Sequence, residues 1–246
     1  MPLSAADERT HETSYEEWTF SCWADDGSLG VVTGYRLVGG RDAWYWWGFA
    51  RQGAPLLHVT EFEIPRRSDP LLAKAEALWA EMTCESPFEQ WTIGNETYAV
   101  ALADPQEALR RGYGEATPIA MDLEWYATGP PTEQHMALDS GAARDDEEAP
   151  RRESGAVAPS QGCYEQRGVA HGRIELAGSI VELVELPAHR THRWSAEPLS
   201  PTTAPLALAH VGLRAPFLLP DGSAIDLVLT SDGWRRRPTP TPAASA

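Results

Sequence analysis

Residues Ala77–Leu102 read ALWAEMTCESPFEQWTIGNETYAVAL, a run dense in Trp, Phe, Tyr, Ile and Val yet threaded with Glu81, Glu85, Glu89, Gln90, Asn95 and Glu96. On its first part, Trp79, Glu81, Thr83 and Glu85 fall on one side, with Leu78, Ala80, Met82 and Cys84 on the other. That two-residue period is the mark of a strand with one oily face and one mixed aromatic and acidic face. Gly94-Asn95 lies between two runs of extended character, Phe88–Ile93 and Glu96–Leu102. A two-residue hairpin loop is predicted there, because Gly supplies the positive φ such a turn demands.

Upstream the same pattern continues. Tyr15–Trp23 places Trp18, Phe20 and Cys22 opposite Glu17, Thr19 and Ser21, and Asp25-Asp26-Gly27 turns the chain into Leu29–Val38. Gly39-Gly40 leads to Ala43–Arg51, and Gln52-Gly53 to Leu56–Ile64, which Pro65 closes. Closely spaced turns between aromatic and β-branched runs predict an antiparallel meander. Downstream, Asp104 as N-cap, Pro105 in the first turn and Gly112 as stop predict one short helix near 104–111. Pro118–Thr128 reads as a strand, with Asp122, Glu124 and Tyr126 on one face and Met121, Leu123 and Trp125 on the other.

Residues 129–160 change to Pro, Gly, Ala, Ser and charge, including Asp145-Asp146-Glu147-Glu148. Such a segment buries too little apolar area to offset its ordering entropy and reads as a flexible loop or linker. Strands resume at Cys163–Leu176 and Ser179–Leu186, followed by a loop holding Pro187, Ala188 and His189–Trp194. Further extended runs lie at Leu206–Arg214, Pro216–Leu219 and Ala224–Thr230. The organisation expected is a loose arm over 1–14, a first β part over 15–128 and the linker. Residues 161–237 then complete a barrel or form a reduced second β module, and 238–246 make a Pro/Thr/Ala tail.

A chain of 246 residues can bury a substantial core, and 42% apolar content is ordinary for a globular protein. A net charge of −16 argues against binding nucleic acid, whose phosphates need Lys and Arg. The N-terminus carries no secretory pattern and no stretch is apolar enough for a membrane span, so a cytoplasmic protein is expected. Cys22, Cys84 and Cys163 are odd in number and far apart, as buried thiols in a reducing compartment would be. No ligand set for a metal and no nucleotide or hydrolase motif stands out, so no cofactor is expected.

Ten Trp residues must pack a core or line a pocket. Glu81, Glu85, Glu89, Asp122, Glu124 and Glu165 all lie on stretches that carry Trp or Tyr. If their strand face lines a barrel, burial raises a carboxyl pKa and creates a general acid. The alternative is that these acids face water. His189 and His192 sit among Arg190 and Arg193, a grouping suited to pairing with carboxylates or with an anionic or carbonyl-bearing ligand.

Residues 162–194, GCYEQRGVAHGRIELAGSIVELVELPAHRTHRW, resemble the signature of the hydroxyneurosporene synthase-like proteins, the carotenoid hydratase or AttH-like superfamily. Tyr164-Glu165-Gln166 resembles its first element, Val169–Ile174 its second and Arg190–Ser195 its third. Thr191 stands where that family favours Asp, Arg193 where it favours Ser, and Ser195 where it favours Gly. The resemblance implies an antiparallel lipocalin-like (calycin) barrel around a cavity for a hydrophobic isoprenoid- or polyketide-like molecule. It also implies a cofactor-independent hydratase, cyclase or pericyclase. Trp44, Trp46, Trp91, Trp125, Tyr126 and Tyr164 would then be walls, with Arg190 as a polar contact and Asp122, Glu124, Glu165 or His192 as proton donors. A non-catalytic binding protein for the same kind of ligand is the alternative, and a barrel filled by its own Trp side chains a third reading.

Overall fold

Four aromatic-rich segments form a meander: β1 (Tyr15–Trp23), β2 (Leu29–Val38), β3 (Asp42–Arg51) and β4 (Leu56–Pro65). A hairpin of β5 (Leu72–Ala75) and β6 (Leu78–Ser86) then leads into the long β7 (Gln90–Leu102). The remaining strands of this sheet are β8 (Ala116–Ala127), the two-residue β9 (Thr132–Glu133), β10 (Gly162–Leu176) and β11 (Ser179–Ser195). The computed structural model describes residues 3–11, 13–25, 28–51, 54–67, 71–102, 115–134, 161–199, 217–218, 224–230 and 233–237.

Pairing runs β4-β3-β2-β1-β11-β10-β8-β7, and the far end of β7 returns to β4 through Leu56↔Leu102 and His58↔Val100. The ring therefore closes as an eight-stranded antiparallel barrel in which each strand neighbours the next barrel strand in the chain. This is the up-and-down closure that leaves no open edge in the ring. The β5–β6 hairpin extends from β7, and β9 pairs with β10. The fold is all-β, as the alternation predicts.

The register corrects the reading of the central stretch. β7 runs straight through Gly94 and Asn95, with Gly94 opposite Glu81 and Asn95 opposite Ala80. The turn lies earlier, between Ser86 and Gln90, where Glu89 N–H donates to Ser86 O. Gly94 serves close packing instead: a Cβ there would stand 3.2 Å from the Trp79 ring. The His189–Trp194 segment is not a loop but the second half of β11, and it pairs with β1 and β10 along its length. Alternation, not loop geometry, sets where those side chains point.

The 104–111 helix and the 238–246 tail lie outside the described residues, as does all of the 129–160 segment beyond residue 134. β10 and β11 complete the barrel. A separate small antiparallel sheet is formed by β12 (Phe217–Leu218), β13 (Ala224–Thr230) and β14 (Gly233–Arg237).

The lumen is packed. Trp18, Trp47, Trp91, Trp125, Tyr35, Tyr45, Phe20 and Phe49 all face inward and are at most 2% exposed. Side chains bridge it from wall to wall: the Trp47 indole N–H donates to the Met121 sulfur at 3.2 Å, and Phe20 meets Trp91 at 5.4 Å between ring centres. The expectation of an open lumenal cavity therefore fails for the middle of the barrel, because the chain's own rings occupy it. Thr33 and Asn95 bond to the Tyr45 hydroxyl among these rings, and the charged groups inside gather at one end.

A candidate binding site at the arm end of the barrel

Strand parity decides which groups reach the inside. Trp18 pairs with His192, and Phe20 with Arg190, on β1 and β11; His192 and Arg190 pair in turn with Tyr164 and Gln166 on β10. Paired residues share a face, so Arg190, His192, Tyr164 and Gln166 join the inward side of Trp18, Phe20, Trp91 and Trp125. All four polar residues are at most 2% exposed, which makes their partners decisive.

Arg190 lies over three rings, with its guanidinium carbon 4.9 Å from the centre of Trp125, 5.2 Å from Tyr164 and 5.7 Å from Trp91. Such cation–π contacts are worth about 2 kcal/mol or more when desolvated. Its Nε donates to Gln166 Oε1 at 3.0 Å and its Nη1 to the Tyr164 hydroxyl at 3.3 Å. The charge itself is met by Glu8, whose two carboxylate oxygens accept from Nη1 and Nη2. Glu8 closes a one-turn 3-10 helix, Ala5–Glu8, in the segment expected to be a loose arm. That arm is tied down through Glu8, which also accepts the Phe88 backbone N–H at 3.1 Å.

A second chain of hydrogen bonds lies alongside. His192 Nδ1 is 3.2 Å from the Tyr164 hydroxyl, and Nε2 is 2.8 Å from Glu16 Oε1. Burial holds the His192 imidazole below its ordinary pKa, against the pull of Glu16. A neutral ring donating to the Glu16 carboxylate leaves Nδ1 to accept from Tyr164. Burial also pushes the Tyr164 hydroxyl well above its usual value, against the pull of Arg190. The same Glu16 oxygen lies 2.8 Å from His11 Nδ1. Trp18 stacks on His192 at 4.6 Å and Trp194 on His11 at 4.0 Å.

The other candidate residues lie elsewhere. Asp122 and Glu124 alternate with the buried Met121, Leu123 and Trp125, so both are exposed on the outer wall. Glu124 accepts from the Tyr126 hydroxyl at 2.9 Å, and Asp122 stands 3.6 Å from Arg173. Glu165 also points outward, 3.3 Å from His189. Trp44 and Trp46 face out on β3, opposite Arg36 and Gly34, with Arg36 over the Trp44 ring at 5.6 Å. For these acids the water-facing alternative holds. Tyr164, Trp91, Trp125, Arg190 and His192 are brought together. Glu8, His11, Glu16 and Gln166 complete the cluster, and sequence reasoning does not single them out as site residues. Glu16 shares the Trp18 and Phe20 face of β1, a charge on an oily face that the alternation could have flagged.

The three thiols are protonated at neutral pH. Burial pushes Cys22 up to about 12, and Cys84 and Cys163 to about 11.

Clefts open at both ends and on the outer wall of the described barrel. One of about 500 Å³ lies against the arm, bounded by Ala5, Ala6, Glu8, Arg9, Cys84 and Pro87. Glu8 is both its wall and the partner of Arg190. Another, of about 430 Å³, runs over the outer wall between Trp79, Glu81, Asp122 and Glu124. A cleft of about 700 Å³ lies at the opposite end beside the β10–β11 turn, Ala177-Gly178. Among the described residues no helix is long and apolar enough to cross a membrane.

Residues 4–204 match the model of a domain of unknown function, DUF7064. The chain belongs to that family. No curated protein matches it. Among solved structures, a protein of Nitrosomonas europaea assigned provisionally as an AttH aligns over 94% of this chain and 70% of its own, at 14% identity and a TM-score of 0.46. At that distance the likeness carries no weight for fold or function. The DUF7064 domain covers every strand of the barrel and the whole arm cluster.

Proposed function

We propose that this DUF7064 protein binds an apolar small molecule with a carboxylate or similar anionic head. The head would sit on Arg190 and the apolar part in the arm-side cleft. The observation that carries this reading is the Glu8–Arg190 contact at the wall of that cleft. A guanidinium buried over Trp91, Trp125 and Tyr164 is a ready anion anchor, and here a carboxylate from the chain's own arm occupies it. The cleft, at about 500 Å³, exceeds the roughly 300 Å³ a small ligand needs. The indole N–H groups of Trp91 and Trp125, buried and without partners among the described residues, are two further donors for ligand oxygens. The ligand class is an acyl, isoprenoid- or polyketide-like acid.

Calorimetric titration with decanoate and with 1-decanol tests the assignment. Glu8→Ala frees the guanidinium, so this variant should bind decanoate about 10- to 100-fold more tightly than decanol, the range expected of hydrogen bonds to a charged group. Glu8→Gln gives the same preference if the alanine variant is poorly folded. Equal affinity for acid and alcohol, or unchanged decanoate binding in Arg190→Met, contradicts the reading.

One observation favours catalysis as a second reading. The Glu16–His192–Tyr164 chain leads from a buried carboxylate to a hydroxyl beside Arg190. A hydroxyl whose proton is held by a histidine–carboxylate pair can take a proton from a bound acid's carbon or hydroxyl and return it to a carbonyl, as a cofactor-independent isomerisation or cyclisation requires. Tyr164 then takes the proton-transfer role in place of Glu124, Glu165 and Asp122. Product analysis with unsaturated acids that bind the protein checks it: turnover lost in Tyr164→Phe with binding retained supports catalysis, and no product from any bound acid leaves the carrier function alone.

A further inference from the structure

His11, Glu16 and His192 come together from the arm, the start of β1 and the end of β11. One ligand atom of each lies within 4.8 Å of the others. Glu16 Oε1 stands between two imidazole nitrogens, 2.8 Å from His11 Nδ1 and 2.8 Å from His192 Nε2. We propose that these three residues form a divalent metal site, a two-histidine, one-carboxylate set suited to zinc(II).

The chemistry of the donors points that way. Imidazole and carboxylate are the usual nitrogen and oxygen ligands of zinc, and three protein ligands leave one position for water or a substrate oxygen. With bonds of about 2.0–2.2 Å, tetrahedral ligand atoms stand ~3.3 Å apart, so each nitrogen must move from Glu16 by roughly half an ångström. His11 sits on the arm, not in the sheet, so it can make that adjustment.

The surroundings are those of a ligating pair. A metal-bound imidazole characteristically holds its other ring nitrogen on a carboxylate, hydroxyl or carbonyl. With Nε2 on the ion, His192 carries its proton on Nδ1 and donates it to the Tyr164 hydroxyl at 3.2 Å, the reverse of the metal-free direction, and His11 Nε2 faces Asp7 Oδ1 at 3.6 Å. The His11 backbone N–H forks over the Glu16 carboxylate, 2.9 Å from Oε2 and 3.2 Å from Oε1, and orients it with Oε1 between the two imidazoles. Trp18 and Trp194 stack on the two imidazoles and set their planes. Charge is balanced as well, since the Glu16 and Asp7 carboxylates offset a divalent ion while Glu8 and Arg190 neutralise each other. His192 and Glu16 are fully buried, so the site is closed to bulk water except on the His11 side.

The site uses neither Glu8 nor Arg190, so the decanoate titration and a metal titration fail independently. The 246-residue chain, stripped with chelator, is titrated with zinc(II) by calorimetry and with cobalt(II) by visible absorption. The expected result is one ion per chain, with the cobalt spectrum of a four-coordinate nitrogen and oxygen site. His11→Ala should weaken zinc binding by at least about tenfold, and Asp7→Asn by about tenfold through its hold on His11. His11→Gln carries the same expectation should the alanine variant fold poorly. Absence of stoichiometric binding by the native chain, or binding that survives loss of His11, overturns the proposal.

Discussion

The carboxylate of Glu8 forks onto the guanidinium of Arg190 across 182 positions of sequence, and both side chains are about 1% exposed. Neither group can be hydrated where it lies, so each depends on the other and on Gln166 and Tyr164. The pair also fixes the arm across the end of the barrel. It matters less for net stability than for the cost of losing either member alone.

Removal of Glu8 alone leaves a buried, unpaired guanidinium. Glu8→Ala is expected to lower the unfolding free energy by about 3–5 kcal/mol in urea titrations. The double variant Glu8→Ala/Arg190→Met should recover most of that loss, because no buried charge remains to be satisfied. Full additivity of the two substitutions would show that the pair is not coupled.

The sequence makes the barrel legible and the site only in part, for a physical reason. Alternation is a local signal, and it shows that Trp18, Phe20 and Cys22 share a face, as do Met121, Leu123 and Trp125. It does not say which face is inside when aromatic and acidic residues share one, so it cannot tell that Asp122 and Glu124 turn away from the lumen. Gly94-Asn95 has turn chemistry but lies mid-strand, where Trp79 needs the space. The turn is made instead beside Pro87, with Phe88 at a φ of 60°. Tyr164, Arg190 and His192 are visible because they stand in one short segment resembling a known signature. Glu8 and His11 come from the arm, which has no strand period, and Glu16 from the start of β1; only the closure of β1 on β11 brings them to the site.

His58 predicts a pH response. Burial pushes its pKa from 6.5 down to about 4, so the unfolded chain takes up a proton at higher pH than the folded one. Stability should be full above about 6.5 and fall as pH drops from there towards 4, by about 3 kcal/mol in all. His58→Gln should flatten this part of the curve of unfolding free energy against pH. An unchanged slope in the variant would assign the effect to other groups.

Gly172 marks the irregularity in β10, where the pairing with β11 shifts between Ala170 and Gly172. Its φ is 149°, and a Cβ would lie 2.0 Å from the Asp122 carbonyl oxygen on β8. Gly172→Ala is therefore expected to cost at least about 2 kcal/mol, since strained backbone and a main-chain clash add. Thermal unfolding measures it; a melting temperature equal to that of the native chain would mean that the strand relaxes freely at this point.

Hydrogen exchange of the arm in the native protein, with and without saturating decanoate, tests most directly whether Glu8 stands in for a ligand carboxylate. Without ligand, the Asp7, Arg9 and His11 amides are bonded to Ser4 O, Ala6 O and the Glu16 carboxylate and should be protected. An acid that takes the guanidinium of Arg190 must displace Glu8, so exchange across residues 3–11 should accelerate with decanoate and stay unchanged with decanol. Decanoate binding that leaves the arm as protected as before would contradict the account.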